Sequence, residues 1–434
     1  MHYIFVINGR EDKSFISQEI EKQIAEIGFG LDYEIYRTTG VGDGTRFVRI
    51  YCDLHPRVEC CFVACGGTGT CNEVASGLVG FSKKYLGILA YGLTNDFIKC
   101  YPDRDFLSLP KLLAGEPRAV DIIRVNDSYA LNVVNIGFEA VVASRSYDLE
   151  ASGRTRHSIS RGILYALFRG KRNRIRVFAD GKRLNRNKLF LCTLSNGRWE
   201  AGQFLCAPDA DPEDGLIDLS FVRRMSALTL LRVLPLYRRG EQFTRNPGKR
   251  KFMRQRVKNV KVRTRNLIDI CLDGEILSGH SFDIDLLPQS IQLILPSLVS
   301  MKKKFEPIIG KCGEIVDYLM SSPDIPQDEA LQFKIRLSIE EAVENVVRYA
   351  YDGGLGWIEV GTELDPEGVM LTILLKDAGV PFNPLEKTDP DVTLPAEDRE
   401  IGGLGIFLCK KLMDHIVYKY EDGCNVLLMT KKVA

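Results

Sequence analysis

Cys60-Cys61-Phe62-Val63-Ala64-Cys65-Gly66-Gly67-Thr68-Gly69-Thr70-Cys71-Asn72-Glu73-Val74 decides how the first part of this chain is read. It is a buried strand that runs into glycines and then into a helix. Glycines at such a turn let the backbone come close to phosphates, and a helix N-terminus favours their negative charge. A second strand, Leu86–Ala90, is followed by Tyr91-Gly92-Leu93-Thr94-Asn95-Asp96-Phe97. Upstream lie an apolar strand at Tyr3–Ile7, a helix at Ser14–Ile27, and a strand at Tyr33–Tyr36 that leads to another helix. Strands alternating with helices predict a doubly wound α/β lobe over residues 1–115.

Beyond Leu113 the texture changes. Short apolar runs, Tyr129–Val134, Ile175–Ala179, Leu189–Leu194, Leu216–Val222, Val257–Val262 and Leu267–Leu272, are separated by Asn, Gly and Asp. They predict an antiparallel, β-rich lobe over 116–297, interrupted by a helix at Ile159–Phe168. Ser297–Lys304 is polar and basic, which places a boundary there with a linker at 298–304. Residues 305–434 then read as a further domain with helices at Glu306–Met320 and Gln327–Tyr349, followed by strands and a Gly-rich tail.

A chain of 434 residues exceeds one compact core, so several domains are expected. No apolar run reaches the roughly 18–20 residues that span a bilayer, and Met1–Asp12 does not read as a secretory leader. A cytoplasmic location is expected. The twelve cysteines sit in apolar surroundings without a CxxC, and the five histidines are scattered. That pattern favours buried free thiols over zinc or a disulfide framework. The net charge of +1 conceals an asymmetry. Residues 151–265 carry 28 Lys+Arg against 8 Asp+Glu, whereas residues 301–434 carry 15 against 24. So basic a block suits nucleic acid, an anionic membrane surface or an acidic partner, or a solvated surface balanced by the acidic domain of the same chain.

The motifs of the first 300 residues resemble the diacylglycerol kinase and sphingosine kinase superfamily, whose hallmarks are a GGDGT loop followed by Asn-Glu and a Gly-Thr-x-Asn-Asp-Phe segment. Gly66, Gly67, Gly69, Thr70, Asn72 and Glu73 match the first, and Gly92, Thr94, Asn95, Asp96 and Phe97 match the second. Asp121, Asn132, Asn135-Ile-Gly137, Asn196-Gly197, Ala207-Pro208, Asp214-Gly215 and Asp273-Gly274-Glu275 extend the match to about Pro296. The resemblance implies a Rossmann-like α/β lobe and a β-sandwich lobe, with ATP bound by the two loops. It also implies a metal role for Asp214, and Glu275 as the group that activates the acceptor hydroxyl. Thr68 stands where the family carries Asp, and a neutral hydroxyl cannot replace a carboxylate in holding Mg²⁺.

In the last domain Ile335, Ile339, Val343, Val346, Val347 and Ala350 recur at helical spacing, and Glu341 and Asn345 stand off that stripe on one side. Downstream come Met370–Lys376, Asp377-Ala378-Gly379, and Gly402-Gly403-Leu404-Gly405 opening an apolar helix, Ile406–Met413. Ile416–Tyr420 and Asn425–Thr430 close the domain as a strand pair. This order resembles the histidine-kinase-like ATPase fold, an α/β sandwich, in the anti-sigma-factor serine kinase branch. By resemblance Asn345 holds Mg²⁺ on the phosphates, and Glu341 activates a hydroxyl or water. Asp377 with Gly379 receives adenine, while Gly402, Gly403 and Gly405 cradle phosphate. Leu404 replaces an Arg frequent in that branch.

The combined expectation is a multidomain α/β and α+β kinase that uses ATP and Mg²⁺. Its C-terminal domain would phosphorylate a serine or threonine on a small regulatory protein, or sequester a sigma factor. The lipid-kinase-like part would meet lipid at an anionic membrane periphery. The alternatives are an active lipid kinase governed by a C-terminal nucleotide switch, and a non-catalytic scaffold. A homodimer is a further partner to consider, and nucleic acid is not an expected one.

Overall fold

A computed structural model describes residues 1–9, 14–27, 31–92, 94–137, 175–185, 189–223, 226–299, 301–351, 354–365, 367–386 and 404–433. The chain divides into two units, Met1–Pro296 and Ser297–Ala434.

The first unit opens with β1 (His2–Ile7), α1 (Ser14–Ile27), β2 (Tyr33–Arg37), α2 (Asp43–Leu54), β3 (Cys60–Cys65), α3 (Thr68–Leu78) and β4 (Lys84–Leu89). The strands are parallel, in the order β2-β1-β3-β4. Alternate residues serve opposite cores. Ile4, Val6, Phe62 and Ala64 pack with Val48 of α2 and Val74 of α3. Phe5, Ile7, Cys61 and Val63 pack with Ile16 and Ile20 of α1. With helices on both faces, β3 has no polar position to fill, which explains its unbroken apolar run. All twelve cysteines are free thiols.

After α4 (Leu109–Leu113) come β5 (Glu116–Val125), β6 (Ser128–Ala130), β7 (Val133–Gly137), β8 (Arg176–Ala179), β9 (Lys182–Arg183) and β10 (Leu189–Ser195). Then follow β11 (Ile217–Arg223), α5 (Ala227–Arg238), β12 (Phe252–Val257), β13 (Asn259–Leu272) and β14 (Glu275–Leu295). These strands pair antiparallel around Ile123, Val134, Ile136, Leu194, Leu219 and Ile284. The run expected as one strand, Tyr129–Val134, is divided into β6 and β7. The backbone N–H groups of Asn132 and Val133 donate instead to the Asp273 carboxylate, at 2.9 and 2.7 Å. The helix expected at Ile159–Phe168 lies outside the described residues.

Strand β14 belongs to both lobes: it pairs with β13 and β5, then runs parallel to β4 at Gln292 and Leu293. Its register shifts between Leu287 and Ile291, where Gln289 has φ 50°. Buried Asp121 accepts the N–H of Gln289 at 2.7 Å and that of Gly215 at 2.8 Å, fixing this irregularity.

The second unit contains β15 (Met301–Phe305), α6 (Cys312–Met320), α7 (Glu329–Tyr349), β16 (Ile358–Leu364), β17 (Met370–Asp377), α8 (Leu404–Leu412), β18 (His415–Glu421) and β19 (Cys424–Lys432). The antiparallel sheet runs β15-β16-β17-β19-β18. Asp328 caps α7 by accepting the Leu331 N–H at 2.8 Å. Ile335, Ile339, Val343 and Val347 then pack on Ile358, Val360, Ile373 and Leu375 of the sheet.

Two expectations are corrected here. The linker placed at 298–304 is mostly strand, because Met301–Phe305 pairs with β16. Its three lysines are compatible with a sheet because each has a local partner. Lys302 meets buried Glu359 at 3.5 Å, Lys303 lies over Phe305 and Tyr318, and Lys304 lies over Trp357. The helix expected from Glu306 begins at Cys312, since Pro307 and Gly310, the latter at φ 95°, hold the preceding residues in turns.

Candidate functional site

In the first unit the β3–α3 turn meets the segment after β4. The Thr68 N–H and hydroxyl both donate to the Thr94 carbonyl, at 2.9 and 3.1 Å. The hydroxyl of this replaced position is thereby turned into a loop–loop contact. Gly92 permits that contact, since a Cβ there would overlap the Gly67 backbone. A Cβ on Gly66 would meet the Thr70 side chain, whereas the space beside Gly69 is open. Glycine and a helix start thus leave a backbone surface that phosphate can approach.

Asn72 and Glu73 hold this turn from behind. Asn72 donates to the Tyr129 carbonyl at 3.2 Å and accepts the Leu131 N–H at 3.0 Å. The Glu73 carboxylate accepts the N–H groups of Gly42 and Gly44 at 3.0 and 2.8 Å, tying it to the start of α2. Both were expected to bind nucleotide; these contacts position the turn.

Asp96 is buried, accepts the Gly202 N–H on both oxygens at 3.1 Å, and pairs with Lys99 at 2.8 Å. Lys99 also donates to the Gly202 carbonyl at 2.7 Å and lies over the Trp199 ring. A crevice of about 10 Å³, room for about one water, is lined by Thr68, Cys71, Asn95, Asp96, Asn132 and Asp273 among others. Burial pushes the Asp273 carboxyl up to about 7, against the backbone N–H groups that donate to it. Glu275, two residues on, is also raised, by burial and then by the charge of Glu73. A raised carboxyl can take up a hydroxyl proton nearer neutral pH. Asp214 is differently engaged: one oxygen accepts the Leu216 N–H at 2.9 Å, and the other faces Arg256 at 3.3 Å. Among the described residues no group of three His, Cys, Asp or Glu is placed to hold a metal.

In the second unit Glu341 and Asn345 lie one turn apart on α7. Asn345 donates its amide N–H to the Glu341 carbonyl at 2.9 Å, which leaves its Oδ1 as a neutral oxygen ligand. A Cβ on Gly405, at the start of α8, would overlap Glu341 Oε2. Burial, then Glu344 and Glu340, raise the Glu341 carboxyl, with Arg348 opposing. Gly402 and Gly403 lie outside the described residues.

Asp377 ends β17 and is buried. Its Oδ1 accepts the Gly379 N–H and the Asn425 amide, each at 2.9 Å, while burial raises the carboxyl. No donor among the described residues reaches Oδ2, the oxygen suited to an amino group of a base. Gly379 has a packing reason: a Cβ there would strike Ala350 at the end of α7. Motif reading missed Lys99, Asp273 as a site group, and Asn425. Lys99 lies three residues after Asp96, a spacing that could have signalled the pair. Asn425 carries no such mark.

Three family descriptions match the chain: Diacylglycerol kinase catalytic domain at residues 2–125, YegS C-terminal NAD kinase beta sandwich-like domain at 132–295, and Histidine kinase-like ATPase domain at 315–431. Proteins named as YegS-like lipid kinases from Yersinia pestis (strain Pestoides F) and Yersinia pseudotuberculosis (serotype O:1b, strain IP 31758) are 29% identical over 302 residues. Each alignment covers 68% of this chain and 97% of the relative. A solved structure from Bacillus anthracis strain Sterne, designated a diacylglycerol kinase, superposes with a TM-score of 0.51 at 20% identity. It covers 68% of this chain and 96% of that one, and it shows the fold alone. In composition, then, the chain joins a lipid-kinase-like part, with a diacylglycerol-kinase-type catalytic lobe and a β-sandwich-like lobe, to a histidine kinase-like ATPase domain.

Proposed function

We propose that the chain is an ATP-dependent signalling kinase whose C-terminal unit phosphorylates a serine or threonine hydroxyl of a small regulatory protein. The observation that carries this reading is the Glu341 carboxylate seated against Gly405, with its proton affinity raised. Asp377 Oδ2 accepts from the adenine amino group, and Asn425 keeps the carboxylate aimed. Asn345 Oδ1, off the packed face of α7, suits Mg²⁺, which takes oxygen ligands. Magnesium and ATP together supply a phosphoryl group with its charge neutralised. Glu341 takes the proton of the attacking hydroxyl as its oxygen bonds to the γ-phosphorus and ADP leaves.

The test is ATP binding stoichiometry of the full chain. Two equivalents are expected, with one lost in Asn345→Ala, and Glu341→Gln should bind ATP without turnover. A single equivalent unaffected by Asn345→Ala would overturn the reading.

A second activity is favoured by Glu275, whose raised carboxyl follows Asp273 at the first site. In this reading the first unit phosphorylates a lipid hydroxyl, slowly because Thr68 supplies no charge. Thr68→Asp should raise the rate by roughly one to two decades, the worth of one charge-assisted contact. Unchanged turnover would remove position 68 from the explanation.

A further inference from the structure

Among the described residues, helix α5 buries one side and leaves the other unpartnered. Val233 and Tyr237 face the core, where the Tyr237 hydroxyl donates to buried Glu200 at 3.0 Å. On the other side Leu228 and Leu231 are 60% and 65% exposed, and Arg232, Pro235, Arg238 and Arg239 continue that exposed stripe. Arg232 and Arg239 meet no carboxylate among the described residues. The 3₁₀ turn Gly248–Arg250 packs against α5 and adds exposed Lys249 and Arg250. An apolar tip ringed by exposed cations complements an anionic bilayer, where leucines enter the acyl boundary and cations meet headgroups.

This face also adjoins the first site. Leu234, Pro235, Arg238 and Arg239 line an open groove of about 500 Å³ together with Trp199 and Gln203. Trp199 stacks under Lys99, the partner of Asp96. We propose that α5 is the bilayer-docking element of this chain, inserting Leu228 and Leu231 among anionic lipids and setting the Trp199 groove at the membrane surface. The proposal rests on the lipid-acting reading of the first unit only for its purpose, because docking itself is measured separately.

The experiment is sedimentation of the full chain with vesicles of phosphatidylglycerol and phosphatidylcholine across a salt series. Leu228→Ser/Leu231→Ser is the test variant; both residues are exposed, and an unchanged melting temperature confirms folding. Wild type should bind anionic vesicles at low salt and release as salt rises. The leucine variant should lose about ten- to a hundredfold in partition. Arg232→Ser/Arg239→Ser should bind more weakly and show a shallower salt dependence. Equal partition of wild type and the leucine variant overturns the proposal, as does failure of wild type to bind anionic vesicles, which points the basic surface to an acidic protein. Lipid phosphorylation in detergent micelles separates the two readings. A leucine variant that fails on vesicles yet works in micelles supports docking, whereas normal docking with no turnover in either system removes only the lipid-kinase reading.

Discussion

Asn425 stands directly opposite Asp377 across the β17–β19 ladder and donates its amide to that carboxylate at 2.9 Å. The same side chain accepts the Phe382 N–H and the Tyr418 hydroxyl, at 3.1 and 2.7 Å. One residue therefore fixes both the acidic group of the proposed nucleotide site and the loop beside it.

Asn425→Ala should weaken ATP binding at the second site by tenfold or more. Leaving a buried charged acceptor without its partner costs about 1–3 kcal/mol. Calorimetric titration of the full chain checks this: one of the two ATP classes should weaken and the other should not.

Gly405→Ala should abolish turnover by the second unit. A Cβ at this position would overlap Glu341 Oε2, so either the carboxylate or the start of α8 must move. ATP turnover should fall by at least the roughly hundredfold low end for loss of a positioned base, with the melting temperature little changed.

Gly92→Ala should disrupt the first site through its backbone. The added methyl would overlap Gly67 and come within 2.9 Å of the Gly66 carbonyl carbon. Neither neighbour can rotate away as a side chain would. Overpacking of this kind costs about 1–3 kcal/mol, readable as a shifted urea midpoint together with lost nucleotide binding by the first unit.

Asp273 should give the first unit a stability that declines as pH rises. Its folded carboxyl is pushed up to about 7 from an ordinary value of 3.8. Between those values the folded chain keeps a proton that the unfolded chain has released. The contribution is complete below about pH 4 and lost as pH climbs through 7, at no more than about 1.4 kcal/mol per pH unit. Melting temperatures at pH 5, 6, 7 and 8 should fall for the natural chain, and Asp273→Asn should flatten the trend. Parallel trends would remove Asp273 as the cause.

The sequence by itself determined the local architecture. The apolar run Cys60–Cys65 specified a strand covered on both faces, and the glycines after it specified a backbone turn that only small residues permit. The period of Ile335, Ile339 and Val343 likewise put Glu341 and Asn345 off the packed face of α7. These features are legible because a few neighbouring residues impose them through sterics and periodicity. The tertiary structure alone decided which groups meet. Asn425 reaches Asp377 only through strand register, which shifts every side chain to the other face if it slips by one residue. Asp273 meets the backbone of Asn132 and Val133 across more than a hundred residues of chain. Three lysines at 302–304 read as a linker until aromatic rings and Glu359 from other elements were brought beneath them. Hydrogen bonds and charge pairs act over a few ångströms in space, so a linear pattern records the groups but not their encounters.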